Sequence, residues 1–202
     1  MKLISSKIVT IILLALLCFS TGCTKNHRVL INPSIPVHSS KIGNRVPVGV
    51  KVIDTRSSNI ISKWQGGFKV RKFTVTSQGD LKDIFTTRIR QGLTKLGFLP
   101  KKFNPAIKRS LKIEILGIKS RYQIAHPKIN IRVKVVLRAT CMNQRKRFSK
   151  SFTSRKSRNG ISPASFPNES LLNDTISETM GTIFSDSSLI TCLTGNSQLS
   201  RT

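Results

Sequence analysis

The sequence predicts an α+β fold in a single domain, with one mixed or mainly antiparallel sheet of about four to five strands and two helices packed on one face. Three observations predict it: apolar alternation of period two in several segments, apolar spacing of three and four in two others, and their order. That order is strand, strand, helix, three strands, helix. The chain has 202 residues, enough for one core-bearing domain behind a leader and short for two.

The first strand is the alternation of Val48, Val50 and Val52 with Gly49, Lys51 and Ile53, ahead of Asp54, Thr55 and Arg56; its burial is mainly on one side. Residues 57–67 hold Ser57, Ser58, Asn59, Gly66 and Gly67 and read as a loop. A short second strand, Lys69 to Val75, could pair with the first. Asp80 is placed to cap a helix in which Leu81, Ile84, Phe85, Ile89, Leu93 and Leu96 recur on one face up to Gly97. Its other face carries Lys82, Arg88, Arg90 and Lys95.

Residues 111–124 form the next strand, with Leu111, Ile113 and Ile115 in phase and Gly117 marking a bulge. His126-Pro127 ends it. Then Ile129, Ile131, Val133, Val135, Leu137, Ala139 and Cys141 face one way, and Asn130, Arg132, Lys134, Arg138 and Thr140 the other. This is an antiparallel strand with one solvated face. The stretch 142–146 turns it back into Phe148 to Thr153. Ser162 and Pro163 occupy the cap and first-turn positions of a second helix, whose buried stripe is Leu172, Ile176, Met180 and Ile183.

The N-terminus has the organisation of an export leader. Residues 1–7 carry Lys2 and Lys7, and residues 8–19 form an apolar run that stops at Ser20, Thr21 and Gly22. Twelve residues make about 18 Å of helix, short of the ~20 residues a spanning helix needs, so residues 1–22 are expected to be removed. Residues 23–47, punctuated by Pro33, Pro36 and Pro47, read as a flexible tether, although Val29, Leu30 and Ile31 could instead add an edge strand. The globular domain is expected over 48–193, with a disordered tail over 194–202.

Ser20-Thr21-Gly22-Cys23 resembles the lipobox read by the lipoprotein signal peptidase, in which small residues precede a cysteine whose thiol is diacylated. It departs from that pattern at Ser20, where leucine is preferred. The resemblance implies recognition through Ser20, Thr21 and Gly22, lipidation of Cys23, and attachment to a membrane by acyl chains worth about 0.8 kcal/mol per buried methylene. By analogy with the sorting rule of enteric bacteria, Thr24 favours the outer membrane, with the body facing the periplasm.

The leader, the valine-rich strand running into Asp54-Thr55-Arg56, the helix ending Lys95-Leu96-Gly97-Phe98 and the closing helix followed by Asp186-Ser187-Ser188-Leu189 together resemble the YajG-like envelope lipoproteins. The likeness covers nearly the whole chain and rests on the order of weak signals. Members of that family are uncharacterised lipoproteins, so it implies a place and a fold without implying a chemistry. This chain is far more basic than the familiar members, especially between Arg145 and Arg158.

The charge is extreme: 35 Lys and Arg against 8 Asp and Glu, a net +27, of which the leader supplies only Lys2 and Lys7. Such a field attracts polyanions, which in an envelope are glycolipid phosphates and anionic headgroups. A basic proteome would give the same charge with no ligand. Arg145, Lys146, Arg147, Lys150, Arg155, Lys156 and Arg158 are the expected surface for an anionic partner, either glycolipid or envelope protein. Nucleic acid is not expected, because an export leader is present and the basic segments lack interleaved stacking aromatics.

No catalytic constellation stands out, and neither a cofactor nor a metal is expected. His27, His38 and His126 are isolated, and no metal-ligand spacing, phosphate loop or nucleophile elbow is present. Asp54 and Arg56, two apart at a strand end, could bind a substrate but are better placed to fix a turn by local pairing. Cys141 and Cys192 could bridge in an oxidising compartment, but Cys141 reads as lying on a strand's core face, where a free thiol behaving as a small hydrophobe is the favoured expectation. The expectation is therefore a non-catalytic, lipid-anchored binding or structural module of the envelope. The alternatives are an auxiliary subunit of an envelope transporter, or an enzyme or solute-binding accessory using Asp54 and Arg56.

Overall fold

The structure is a computed structural model that describes residues 25–66, 71–125, 128–144, 146–161 and 169–195. Eight strands and three helices follow in the order β1 (Lys25–Val29), β2 (Pro47–Asp54), β3 (Ile60–Gly66), β4 (Arg71–Ser77), α1 (Leu81–Lys95), β5 (Leu99–Lys102), β6 (Arg109–Ala125), β7 (Lys128–Asn143), β8 (Arg147–Ile161), α2 (Glu169–Phe184) and α3 (Ser187–Thr194). The strands form two sheets, a five-stranded one of order β5-β2-β6-β7-β8 and a three-stranded one of order β1-β4-β3.

This corrects the single sheet of four to five strands with two helices. In the larger sheet β2 runs parallel to both β5 and β6, and β6, β7 and β8 are antiparallel neighbours. The smaller sheet exists because β2 leaves β6 at Asp54, opposite Ile115, while β6 continues to Ala125. β3 lies beside that remaining length, where the Ser62 hydroxyl donates to the Ser120 carbonyl at 2.8 Å. Residues 60–66 are thus a strand where a loop was expected: Ile61 is buried, and apolar burial outweighs the turn-forming residues around it. β4 pairs with β3 and β1, not with β2.

The core lies between the larger sheet and the helices. Val48, Val50 and Val52 of β2, Leu111, Ile113 and Ile115 of β6, and Leu137, Ala139 and Cys141 of β7 are buried on one face, α1 packing against β2, and α2 and α3 against β7 and β8. α1 begins at Asp80, whose carboxylate accepts from the Lys82 amide at 2.8 Å, and carries Asp83 in its first turn, where a negative charge complements the helix dipole. It buries Phe85, Ile89 and Leu93 and gives way to Gly97 at φ +81°, the left-handed position glycine fills without strain. Where α1 meets α2, an added Cβ at Gly92 would stand 2.4 Å from the Phe184 ring, so only glycine permits that approach.

α3 is a third helix not expected from the sequence, capped by Asp186 at its start and closed by Gly195 at φ +79°. It is sewn to the sheet by a disulfide between Cys141 and Cys192, 51 residues apart. Cys141 is therefore bonded as well as buried. In the chain-entropy account a loop of this length stabilises the fold by about 4 kcal/mol.

The segment expected as a tether is packed from residue 25 on. β1 pairs with β4, and residues 30–36 form a strap beside α2. Leu30, Asn32 and Ser34 donate their amides to Glu169, Asn173 and Ser177 at 3.1, 2.7 and 2.9 Å. Val29, Ile31 and Ile35 are buried. Prolines and alternating apolar residues suit such an extended, side-chain-bonded strap as well as they suit a linker. The leader, the Ser20–Cys23 motif, Ser162 and Pro163 and residues 196–202 lie outside the described residues.

Candidate anionic-partner face

On β6, β7 and β8 the period of two decides which cations point toward the helices and which point away. Lys150, Lys156 and Arg158 stand opposite Ala139, Val133 and Ile131 of β7, so they share the helix-covered face. There they are engaged. Lys150 meets Asp186 at 2.7 Å, Lys156 meets Glu178 at 3.0 Å, and Arg158 donates to the Ser170 hydroxyl at 3.3 Å. Of the seven residues expected to form one basic surface, these three act as sheet-to-helix links. Arg147 and Arg155 occupy the opposite parity, Lys146 lies in the β7–β8 turn, and Arg145 is outside the described residues.

The open face gathers a different set. Lys119 of β6 stands opposite Lys134 of β7, which stands opposite Arg155 of β8; in the next row Arg121 stands opposite Arg132. All five are exposed, and they line an open groove of about 480 Å³. Like charges directly opposite each other across strands are destabilising. All eight Asp and Glu are among the described residues, and none lies on these two rows. The bulge between Ile115 and Gly117 marks a boundary, because on its other side Glu114 lies opposite Arg138 and pairs with Lys112 at 3.3 Å.

Sequence reasoning set Arg132 and Lys134 on the solvated face but left them out of the surface, and it missed Lys119 and Arg121. The signal was present. A short β6–β7 connection that pairs Ala125 with Lys128 fixes the register, and the register puts Arg121 on Arg132 and Lys119 on Lys134.

Six of the eight acids are occupied elsewhere. Asp80 and Asp186 cap helices, Glu169 holds the strap, Glu114 and Glu178 pair with lysines, and Asp54 binds Arg56. The last pair is bidentate, Arg56 Nε to Oδ1 at 2.9 Å and Nη2 to Oδ2 at 2.7 Å, with the Arg56 amide also donating to Oδ1 at 3.2 Å. Burial pushes the Asp54 carboxyl up, but the Arg56 hydrogen bonds and charge together hold it below its ordinary value. The pair closes the end of β2 beside a polar cavity of about 390 Å³ lined by Arg28, Asn59, Gln78 and Asp80 among others. Arg56 Nη1 is buried with no hydrogen-bond partner.

A larger groove of about 820 Å³ runs between the strap and α1, and its cations are committed to the fold. Arg88 binds Gln91 and Asn32, Arg90 binds the Pro100 carbonyl, and Lys95 binds the Ile35 carbonyl. Among the described residues no three His, Cys, Asp or Glu come together as a metal site. No described helix is long and apolar enough to cross a membrane.

Several solved structures resemble the chain at low identity. A protein from Xanthomonas campestris shares 11% identity at a TM-score of 0.45, over 82% of this chain and 96% of that one. A putative neuraminyllactose-binding hemagglutinin homolog from Helicobacter pylori shares 9% at 0.43, over 84% and 97%. Lipoprotein GNA1162 from Neisseria meningitidis shares 13% at 0.35, over 69% and 100%. No curated protein matches the chain. The model of a family described as uncharacterized lipoprotein matches residues 33–194, most of the chain, and the chain belongs to that family, the YajG-like lipoproteins.

Proposed function

We propose that this protein is a lipoprotein of the bacterial envelope, held by acyl chains on Cys23 at the periplasmic side of the outer membrane, whose body is a non-catalytic module that binds an anionic partner. The observation that carries the binding role is the pair of cation rows on the open face of β6, β7 and β8, five exposed charges with no carboxylate among them. Family membership supports the envelope reading, and the Ser20-Thr21-Gly22-Cys23 motif supports the anchor. The test of the anchor is mass spectrometry on membrane-fraction protein from a bacterial host, wild type against Cys23→Ala. Wild type should begin at an acylated Cys23, and the variant should lack the acyl mass; unacylated wild type would overturn the anchor.

A solute-binding accessory role at Asp54 and Arg56 is the second reading, favoured by the unspent Nη1 of Arg56 beside a polar cavity. Loss of phenotype in Asp54→Asn at unchanged protein level would support it; full function in that variant would leave the pair as the lock at the end of β2.

A further inference from the structure

The chain direction places the start of β1 and the cation rows at one end of the molecule. β6 runs from Arg109 to Ala125 and β7 returns from Lys128, so the rows Lys119–Lys134 and Arg121–Arg132 lie in the half nearest that turn. β8 comes back to the same end, where Ile161 stands opposite Lys128. α2 starts there, since Ser170 accepts from Arg158, and runs away from it. The strap descends alongside, Leu30 at Glu169, Asn32 at Asn173 and Ser34 at Ser177. β1 therefore enters the strap from the end at which α2 begins. Cys23 precedes Lys25 by two residues, a reach of at most about 7 Å.

We infer that Lys119, Arg121, Arg132, Lys134 and Arg155 dock on the anionic lipid headgroups of the membrane that holds Cys23. This rests on the acylation reading above and identifies the anionic partner as the bilayer itself. With only Thr24 between the anchor and β1, the end of the body that carries the rows is held at the headgroup layer. An open sheet face with phosphate-seeking cations in two rows, and no acid to neutralise them, is complementary in charge to a surface of phosphates. One or two acyl chains plus a basic patch is the two-signal arrangement that makes peripheral attachment persistent. The like-charge rows, unfavourable in the free protein, are relieved on contact with such a surface.

The test uses residues 23–202, which contain the whole described fold, made without acyl chains as Cys23→Ser. Sedimentation with vesicles of phosphatidylcholine alone is compared with vesicles containing phosphatidylglycerol. Binding is expected only to the anionic vesicles, weakened at least about tenfold in Arg132→Glu/Lys134→Glu and little changed in Lys82→Glu/Lys101→Glu, which removes the same charge elsewhere. Equal losses in the two double variants would assign binding to net charge and overturn the inference. Binding to neither vesicle would overturn it too, as would abolition by inorganic phosphate at an ionic strength where chloride has no effect, which would point to a free phosphate site. Circular dichroism checks that each variant is folded. Since the protein tested carries no acyl chain, failure here leaves the acylation result standing, and failure of acylation leaves this result standing.

Discussion

The two faces of β8 are built from the same residue types and use them in opposite ways. On the helix side Lys150 and Lys156 reach Asp186 and Glu178, and each links the sheet to the element that covers it. One residue away in sequence, Arg155 points to the open side and stands beside Lys134, which stands beside Lys119. Chemistry does not separate the two sets; parity does. A one-residue shift of register would exchange them, so the buried row of Leu137, Ala139 and Cys141, by fixing which side of the sheet is apolar, also fixes which cations are spent internally and which remain available.

The largest expected effect tests the helix side. Cys192→Ala removes the link between α3 and β7, and urea unfolding should show a loss of up to about 4 kcal/mol. A loss below 1 kcal/mol would mean that packing alone holds α3.

Next is Asp186→Ala, which removes the cap on the Leu189 amide (3.0 Å) and the partner of Lys150 together. The cap contributes about 1 kcal/mol and the exposed pair less, so Lys150→Met should cost much less than Asp186→Ala in the same urea assay. The same carboxyl sets a pH dependence. Burial raises the Asp186 pKa, but Lys150 and the Leu189 and Ser188 amides outweigh it, and the net position lies below the ordinary value; Asp54 behaves alike through Arg56. Groups depressed in the folded state contribute stability that is complete above their unfolded pKa, near 4, and that is lost as pH falls through the lower folded values. Thermal melts between pH 5 and pH 2 should therefore show a decline that is shallower in Asp186→Asn.

The smallest effect has the opposite sign. Neutralising one open-face cation, as in Lys134→Thr, should raise stability by roughly 0.2–1 kcal/mol, because it relieves two like-charged cross-strand neighbours, whereas Lys156→Thr on the helix side should give no gain. Added salt should likewise raise the Tm of wild type and do so less in Lys134→Thr, as screening replaces the mutation. If both faces respond in the same direction, parity does not divide the charges as the register implies.

Local pattern made α1 and β7 legible, since cap, stripe and stopping glycine agree in the first and alternation runs unbroken in the second. The second sheet was only partly legible: the pattern shows a strand at 69–75 where β4 stands, but it reads as a loop where β3 stands, and the pairing of β1 with β4 joins residues about fifty apart, with no periodicity to announce it. Prolines hid the strap, whose partners Asn173 and Ser177 lie on a helix more than a hundred residues later. The candidate site was half legible. The basic segment at 145–158 was visible as composition, but composition has no faces, and assigning Lys150 and Arg155 to different sides required the pairing of β8 with β7.

The strap also sets the order in which the fold can be completed. Its bonds to α2 close separations of 139 to 143 residues, the kind of long-range contact that slows folding. A chain that emerges from its N-terminus presents the strap first and its receptor last. The amides of Leu30, Asn32 and Ser34 must therefore wait until α2 has been made, and a chain cut short before Glu169 can pair β1 with β4 and seat the Ile35 carbonyl on Lys95 yet still leave those amides without their receptor.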